Sequence, residues 1–124
     1  MSELRILLVD DDPTINFLNK IVIEKAEIKA EVIEYTNPQK ALEELKSGQL
    51  KPNIILLDLN MPIVDGWAFM TSLKEFPESF VLPKVILLTS SINPSDKSRA
   101  LSDSLIDSFK SKPLTIDMVR EIAQ

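Results

Sequence analysis

The stretch Asn53-Ile54-Ile55-Leu56-Leu57-Asp58-Leu59-Asn60-Met61-Pro62 decides the fold. Ile54 to Leu57 run without a polar alternation straight into one acid, Asp58. An unbroken apolar run of this kind suits a strand buried on both faces, as in a parallel sheet. Asp58 then stands where the strand ends, the edge that carries the ligand crevice in open α/β sheets. Pro62 closes the stretch and requires the chain to turn. Taken alone, Asp58 could equally be a strand-end acid that opens a turn.

Two other stretches share the pattern. Leu4-Arg5-Ile6-Leu7-Leu8-Val9 reads as a buried strand ending in Asp10-Asp11-Asp12, and Lys84-Val85-Ile86-Leu87-Leu88 as another ending in Thr89-Ser90-Ser91. Ala30 to Tyr35 and Ile106 to Phe109 carry charges, which suits edge strands. Helices are expected between them. Asp12-Pro13, Asn37-Pro38 and Asn93-Pro94 each pair a capping residue with a first-turn proline. The first helix is expected to bury Ile15, Leu18, Val22 and Ala26, with Ile21 beside them; the second buries Ala41, Leu42 and Leu45 and stops at Ser47-Gly48. Asp65-Gly66 marks a turn before a third helix from about Trp67 to Phe76, with Phe69, Met70, Leu73 and Phe76 inside. The fourth helix is weak, with Ala100, Leu101 and Leu105 among serines and charges, and Thr115 caps a last helix with Met118, Val119 and Ile122 inside. Phe80, Val81 and Leu82 lie in a longer connection and have no assigned place.

Five strands alternating with five helices make the class α/β, a flavodoxin-like (βα)5 three-layer sandwich around a parallel five-stranded sheet. With the three apolar strands central and right-handed crossovers, the expected order is 2-1-3-4-5.

Composition narrows the chemistry. A chain of 124 residues reads as one domain over 1–124, and 44% hydrophobic with 27% charged residues is ordinary for a soluble globular protein. The net charge of −5 and the scattered lysines and arginines argue against a nucleic-acid surface. There is no cysteine, hence no disulfide or thiol chemistry, and no histidine, hence no Ser-His-Asp or Cys-His triad, His-based zinc site or phosphohistidine on this chain. Met1 to Arg5 lacks the pattern of a signal peptide and no run is long enough to span a membrane, so a cytoplasmic location is the expectation.

In order 2-1-3-4-5 the ends of the first and third strands meet, so Asp10 and Asp11 face Asp58. Clustered carboxylates repel one another and have raised pKa values unless a cation neutralises them. Oxygen ligands favour Mg²⁺. The same edge receives the Thr89 hydroxyl and Lys112. Acids with a metal, a lysine and a hydroxyl suit phosphoryl chemistry, which depends on positioning and charge neutralisation. An aspartate can serve as the nucleophile and form an acyl phosphate.

Asp10-Asp11 after the first strand, Asp58 in Leu56-Leu57-Asp58-Leu59-Asn60-Met61-Pro62, Asp65-Gly66, Thr89 after Val85-Ile86-Leu87-Leu88, and Lys112-Pro113 together resemble the receiver domain of two-component response regulators, of the chemotaxis-regulator-like kind. The resemblance covers essentially the whole chain. It implies that Asp58 is the phosphoacceptor and that Asp11, Asp58 and the Asn60 backbone carbonyl ligate Mg²⁺, with Asp10 supporting the site. It implies that Lys112 pairs with Asp58 and then with the phosphoryl group, and that its bond to Pro113 is cis, aiming the lysine inward. Thr89 is the implied switch hydroxyl and Phe109 the implied switch aromatic. Their movement would alter the face formed by the fourth helix, fifth strand and fifth helix. The implied partners are a sensor histidine kinase or histidine phosphotransfer protein, since the phosphohistidine must lie elsewhere, and a downstream protein target. The protein itself is expected to be a monomer or weak dimer that catalyses only its own phosphorylation and dephosphorylation.

Each residue also has a plainer reading. Asp12 is favoured as a helix cap over a ligand, and Asp65-Gly66 as loop geometry. Without the family, Phe109 is core, Thr89 a strand-end hydroxyl and Lys112 a solvated lysine. Trp67 is expected to be a packing residue, and Ser90 and Ser91 line the approach to the site. One departure stands out: Ser102-Asp103-Ser104-Leu105 lacks the glycine often found before the fifth strand, leaving Asp103 or Ser104 to make the turn. Other functions compete. A haloacid dehalogenase-type phosphatase wants an acid two residues after its nucleophile, where this chain has Asn60. A flavodoxin-like cofactor binder wants a phosphate cradle, where this chain is acidic. A docking-only pseudo-receiver would not need the intact acid set. With no output domain after residue 124, the chain is expected to be a stand-alone receiver or a fragment of a longer regulator.

Overall fold

The computed structural model describes residues 4–59, 61, 65–77, 80–90 and 93–123. The elements follow in strict alternation: β1 (Leu4–Val9), α1 (Pro13–Lys25), β2 (Ala30–Tyr35), α2 (Pro38–Ser47), β3 (Ile54–Asp58), α3 (Gly66–Lys74), β4 (Lys84–Thr89), α4 (Pro94–Leu101), β5 (Ile106–Ser111) and α5 (Ile116–Ile122). All strand pairs are parallel and the order is β2-β1-β3-β4-β5, as expected.

The alternation of side chains along a strand explains why the central strands need no polar residues. Leu7, Val9, Ile55, Leu57, Val85 and Leu87 face one layer, where Ala41 and Leu45 of α2 and Phe69, Met70 and Leu73 of α3 cover them. Ile6, Leu8, Ile54, Leu56, Ile86 and Leu88 face the other, beneath Ile23 and Ala26 of α1 and Val119 and Ile122 of α5. In β2, by contrast, Glu31 and Glu34 are exposed at the sheet edge.

Each helix begins with a side-chain cap. Asp12, Asn37, Asp65, Asn93 and Thr115 accept hydrogen bonds from the backbone N–H groups of Thr14, Lys40, Ala68, Ser95 and Met118. Each such cap contributes about 1 kcal/mol. Asp65 is therefore more than turn geometry: it starts α3. Gly48, at φ 85°, ends α2 in the left-handed conformation that glycine adopts without penalty.

Three helices differ from expectation. In α1 the buried residues are Asn16, Asn19 and Ile23, and Leu18 is 50% exposed, so the helix is rotated from the phase its apolar residues suggest. The Asn16 amide finds backbone acceptors inside, which makes a polar residue tolerable there. The third helix ends at Lys74; Phe76 lies beyond it, half-buried, in edge contact with Phe80 at 5.0 Å between ring centroids. In α4 only Ala100 is buried, and Leu101 is 77% exposed.

Polar ties to α3 hold α4 instead. The Trp67 indole N–H donates to Asp96 at 3.2 Å, and the Arg99 guanidinium lies 4.2 Å from the centre of the Trp67 ring. Lys74 reaches Asp103 at 2.5 Å, just past the helix. Asp103 also makes the glycine-free turn, its Oδ1 accepting from Leu105 N–H at 3.0 Å. Trp67 is thus a clamp between helices as well as a packing residue.

Candidate functional site

Strand register assembles the site at the C-terminal edge of the sheet. Val9 is level with Leu57, so Asp10 and Asp58 arrive side by side at the ends of β1 and β3. Asp58 is level with Leu88, Thr89 follows as the last residue of β4, and its register partner Ser111 precedes Lys112. One carboxylate oxygen from each of Asp10, Asp11 and Asp58 can be chosen so that all three lie within 4.8 Å of one another. Asp10 and Asp58 are 4% and 6% exposed, while Asp11 faces solvent.

Lys112 binds two of these acids. Its Nζ lies 2.9 Å from Asp10 Oδ2 and 3.3 Å from Asp58 Oδ1. The expected pairing with Asp58 is present, and Asp10 is the nearer partner. The Lys112 backbone N–H donates to Thr89 O at 2.8 Å, and the Lys112–Pro113 peptide is cis. Asp10 Oδ1 accepts from the Asp12 N–H at 3.0 Å, so both oxygens of Asp10 are engaged. Gly66 allows close packing behind Asp58: a Cβ there would sit 2.8 Å from Asp58 O and from Leu59 Cα. Its N–H donates to Leu59 O at 2.9 Å, anchoring the start of α3 against the strand end.

Burial works against the charge on Lys112, but the hydrogen bond to Asp10 and the negative charges of Asp58 and Asp10 outweigh it. The ammonium pKa accordingly lies above the usual lysine value. A raised folded-state pKa stabilises the fold fully below the unfolded value of about 10.4, and that contribution is lost as pH rises through the folded value. Urea unfolding of wild type and Lys112→Met from about pH 9.5 to about pH 11.5 checks this. The wild type is expected to lose stability relative to the variant as pH rises; a constant gap between the two would refute the coupling.

Three acids converge where one lysine pairs with two of them, and those two are almost fully removed from water. Like charges so placed disfavour one another unless a further cation enters. The oxygen-only donor set and its convergence fit a hard divalent ion. The cluster could therefore hold a metal.

The other predicted residues fall as follows. Thr89 is buried at the end of β4, on the same edge. Phe109 lies in β5, half-buried and packed against the core on the α2–α3 side. Asp12 is the cap of α1, as the plainer reading had it. Asn60, whose carbonyl the resemblance assigns to the metal, lies outside the described residues, as do Pro62 and Ser91. Hydrophobic patterning gives Asn16 no place at the site, yet its side-chain amide donates to the Asp10 carbonyl. Its signal was the spacing Asn16-Asn19-Ile23-Ala26, as regular a helical stripe as the apolar one.

The chain is similar to known proteins in sequence and fold. Residues 6–124 match the family model of the response regulator receiver domain. The DNA-binding dual master transcriptional regulator RpaA of Synechocystis is 32% identical over 117 residues, covering 91% of this chain and 44% of that protein. The sensor histidine kinase CheAY of Helicobacter pylori is 29% identical over 114 residues, 90% of this chain and 13% of that protein. The chain thus spans less than half the length of these two relatives. Two-component response regulator 24 of Arabidopsis thaliana is 30% identical over 121 residues, covering 98% of this chain and 82% of that protein. Among solved structures, a two-component response regulator from Cytophaga hutchinsonii superposes with a TM-score of 0.87 at 31% identity, covering 99% of this chain and 96% of that one. The acid cluster at the sheet edge, the flavodoxin-like strand order and these matches converge: the chain belongs to the response regulator receiver domain family of two-component signal transduction.

Proposed function

We propose that Asp58 accepts a phosphoryl group from a phosphohistidine on a partner protein and that the resulting acyl phosphate switches the α4–β5–α5 face. The observation that carries this reading is the place of Asp58: last residue of a buried strand, 3.3 Å from Lys112 and clustered with Asp10 and Asp11. In the reaction a carboxylate oxygen of Asp58 attacks phosphorus, the P–N bond to the donor imidazole breaks, and a C–O–P linkage forms while the imidazole leaves to be protonated.

Asp10, Asp11, Asp58 and the Asn60 carbonyl would hold Mg²⁺, which supplies charge neutralisation for the phosphoryl oxygens. Lys112, held at the mouth of the cluster, pairs with a phosphoryl oxygen once Asp58 is esterified. The Thr89 hydroxyl donates to another, and Phe109 turns inward as Thr89 moves. Water then returns Asp58 to the free acid, so the only reactions catalysed are on the chain itself. The partners on this reading are a sensor histidine kinase or histidine phosphotransfer protein and a downstream protein that reads the switched face. A cytoplasmic site of action follows from the same reading; none of the described helices is long and apolar enough to cross a membrane.

Intact-protein mass after incubation with acetyl phosphate tests the proposal. The expected result is a gain of one phosphoryl group with Mg²⁺ and none with a chelator. No gain with Mg²⁺, together with no complex with beryllofluoride, would refute it.

A further inference from the structure

Beside the acid cluster, α1 buries a polar group that the phosphoryl chemistry leaves unused. Asn16 is 1% exposed. Its Nδ2 donates to two backbone carbonyls at once, Asp10 O and Tyr35 O, each at 3.1 Å. Tyr35 O also accepts the Asp10 N–H at 3.2 Å. One side-chain amide therefore brackets the Asp10 peptide and locks it to the end of β2. The other half of that amide is unsatisfied: Asn16 Oδ1 is buried and finds no hydrogen-bond partner among the described residues. An orphan acceptor is a net cost to folding, and an apolar residue of the same shape would bury none.

We propose that Asn16 is a positioning residue for the cation site. It holds the Asp10 peptide in place so that the carboxylates of Asp10 and Asp11 converge on Asp58 against their mutual repulsion. The registered β1–β2 pairing ends at Val9 and Tyr35. Beyond that point the chain enters a loop that carries Asp11, exposed, and Asp12, spent on capping α1. Lys112 draws the Asp10 side chain inward. Asn16 fixes the backbone from which that side chain hangs. Groups that orient metal ligands from behind set metal affinity about 10- to 100-fold. The inference rests on reading the acid cluster as a divalent-cation site.

The test compares Asn16→Leu with Asn19→Leu, which replaces a buried asparagine one turn along the same helix face. Two quantities are measured on each chain: amide hydrogen exchange without added cation, and the dissociation constant for Mg²⁺ from amide chemical shifts. In Asn16→Leu, exchange at Asp10 is expected to accelerate at least about tenfold while Leu56 and Leu57 keep wild-type protection. Its Mg²⁺ dissociation constant is expected to weaken about tenfold. Asn19→Leu is expected to leave the affinity unchanged even where it lowers stability.

Mg²⁺ binding by Asn16→Leu within about twofold of wild type, or equal weakening in Asn19→Leu, would overturn the proposal. If Asn16→Leu does not fold, Asn16→Ser takes its place; it retains one donor and is expected to be intermediate, and wild-type affinity there would also overturn the role. A wild-type chain that binds no Mg²⁺ would overturn the cation reading itself before any variant is made, which separates the two failures.

Discussion

An Asp58→Asn chain is expected to fold as the wild type does and to take up no phosphoryl group from acetyl phosphate at any Mg²⁺ concentration. The amide matches the carboxylate in shape, so the packing at the end of β3 is preserved. What disappears is the nucleophile: a carboxamide oxygen carries no charge and cannot form the acyl phosphate. Stability should not suffer. Lys112 keeps Asp10 at 2.9 Å, and the cluster loses one of three mutually repelling acids. A melting temperature equal to or above that of the wild type is therefore expected without divalent cation. Full phosphoryl uptake by this variant would show that another group is the acceptor.

The second large effect is structural. Phe69 is fully buried in the core between the sheet and the α2–α3 layer. Phe69→Ala is expected to cost about 3–5 kcal/mol, the lost transfer energy plus the cavity left behind. Against a total of roughly 5–15 kcal/mol for a domain, that removes a large share of the stability. The melting temperature should fall by roughly 10–20 °C. Phe69→Leu, which refills most of the space, should recover the greater part in the same urea or thermal titration. A small loss for Phe69→Ala would mean that α3 closes onto the sheet.

The parts of the fold that were legible in the sequence are those set by local chemistry or by strong burial. Unbroken apolar runs at Ile54–Leu57 and Val85–Leu88 marked the central strands because both of their faces are covered. The pairs Asp12-Pro13, Asn37-Pro38 and Asn93-Pro94 marked helix starts because capping is local. The site followed from these, since parallel register carries strand-end residues to one edge. Asp10, Asp11 and Asp58 meet there, and Lys112 reaches in between them.

What the sequence concealed depends on partners distant along the chain. The phase of α1 turns on Asn16, whose burial is tolerable only because the carbonyls of Asp10 and Tyr35 await it. A reading by hydrophobicity alone places Leu18 inside and Asn16 outside, the reverse of what is found. The fourth helix is hidden for a related reason. It buries a single alanine and is moored by Asp96 and Arg99 to Trp67, contacts that no helical period announces. Polar moorings of this kind are weaker than apolar packing and more easily released, which suits the proposed switching of this face.

Borohydride trapping tests the central claim most directly. Hydride reduces an aspartyl phosphate to homoserine with release of phosphate, marking the acceptor permanently in the chain. After incubation with acetyl phosphate and Mg²⁺, peptide mapping should find homoserine at position 58 and aspartate at 10, 11 and 65. Homoserine at any of those other positions, or intact aspartate at 58 in protein that has gained a phosphoryl group, would contradict the assignment.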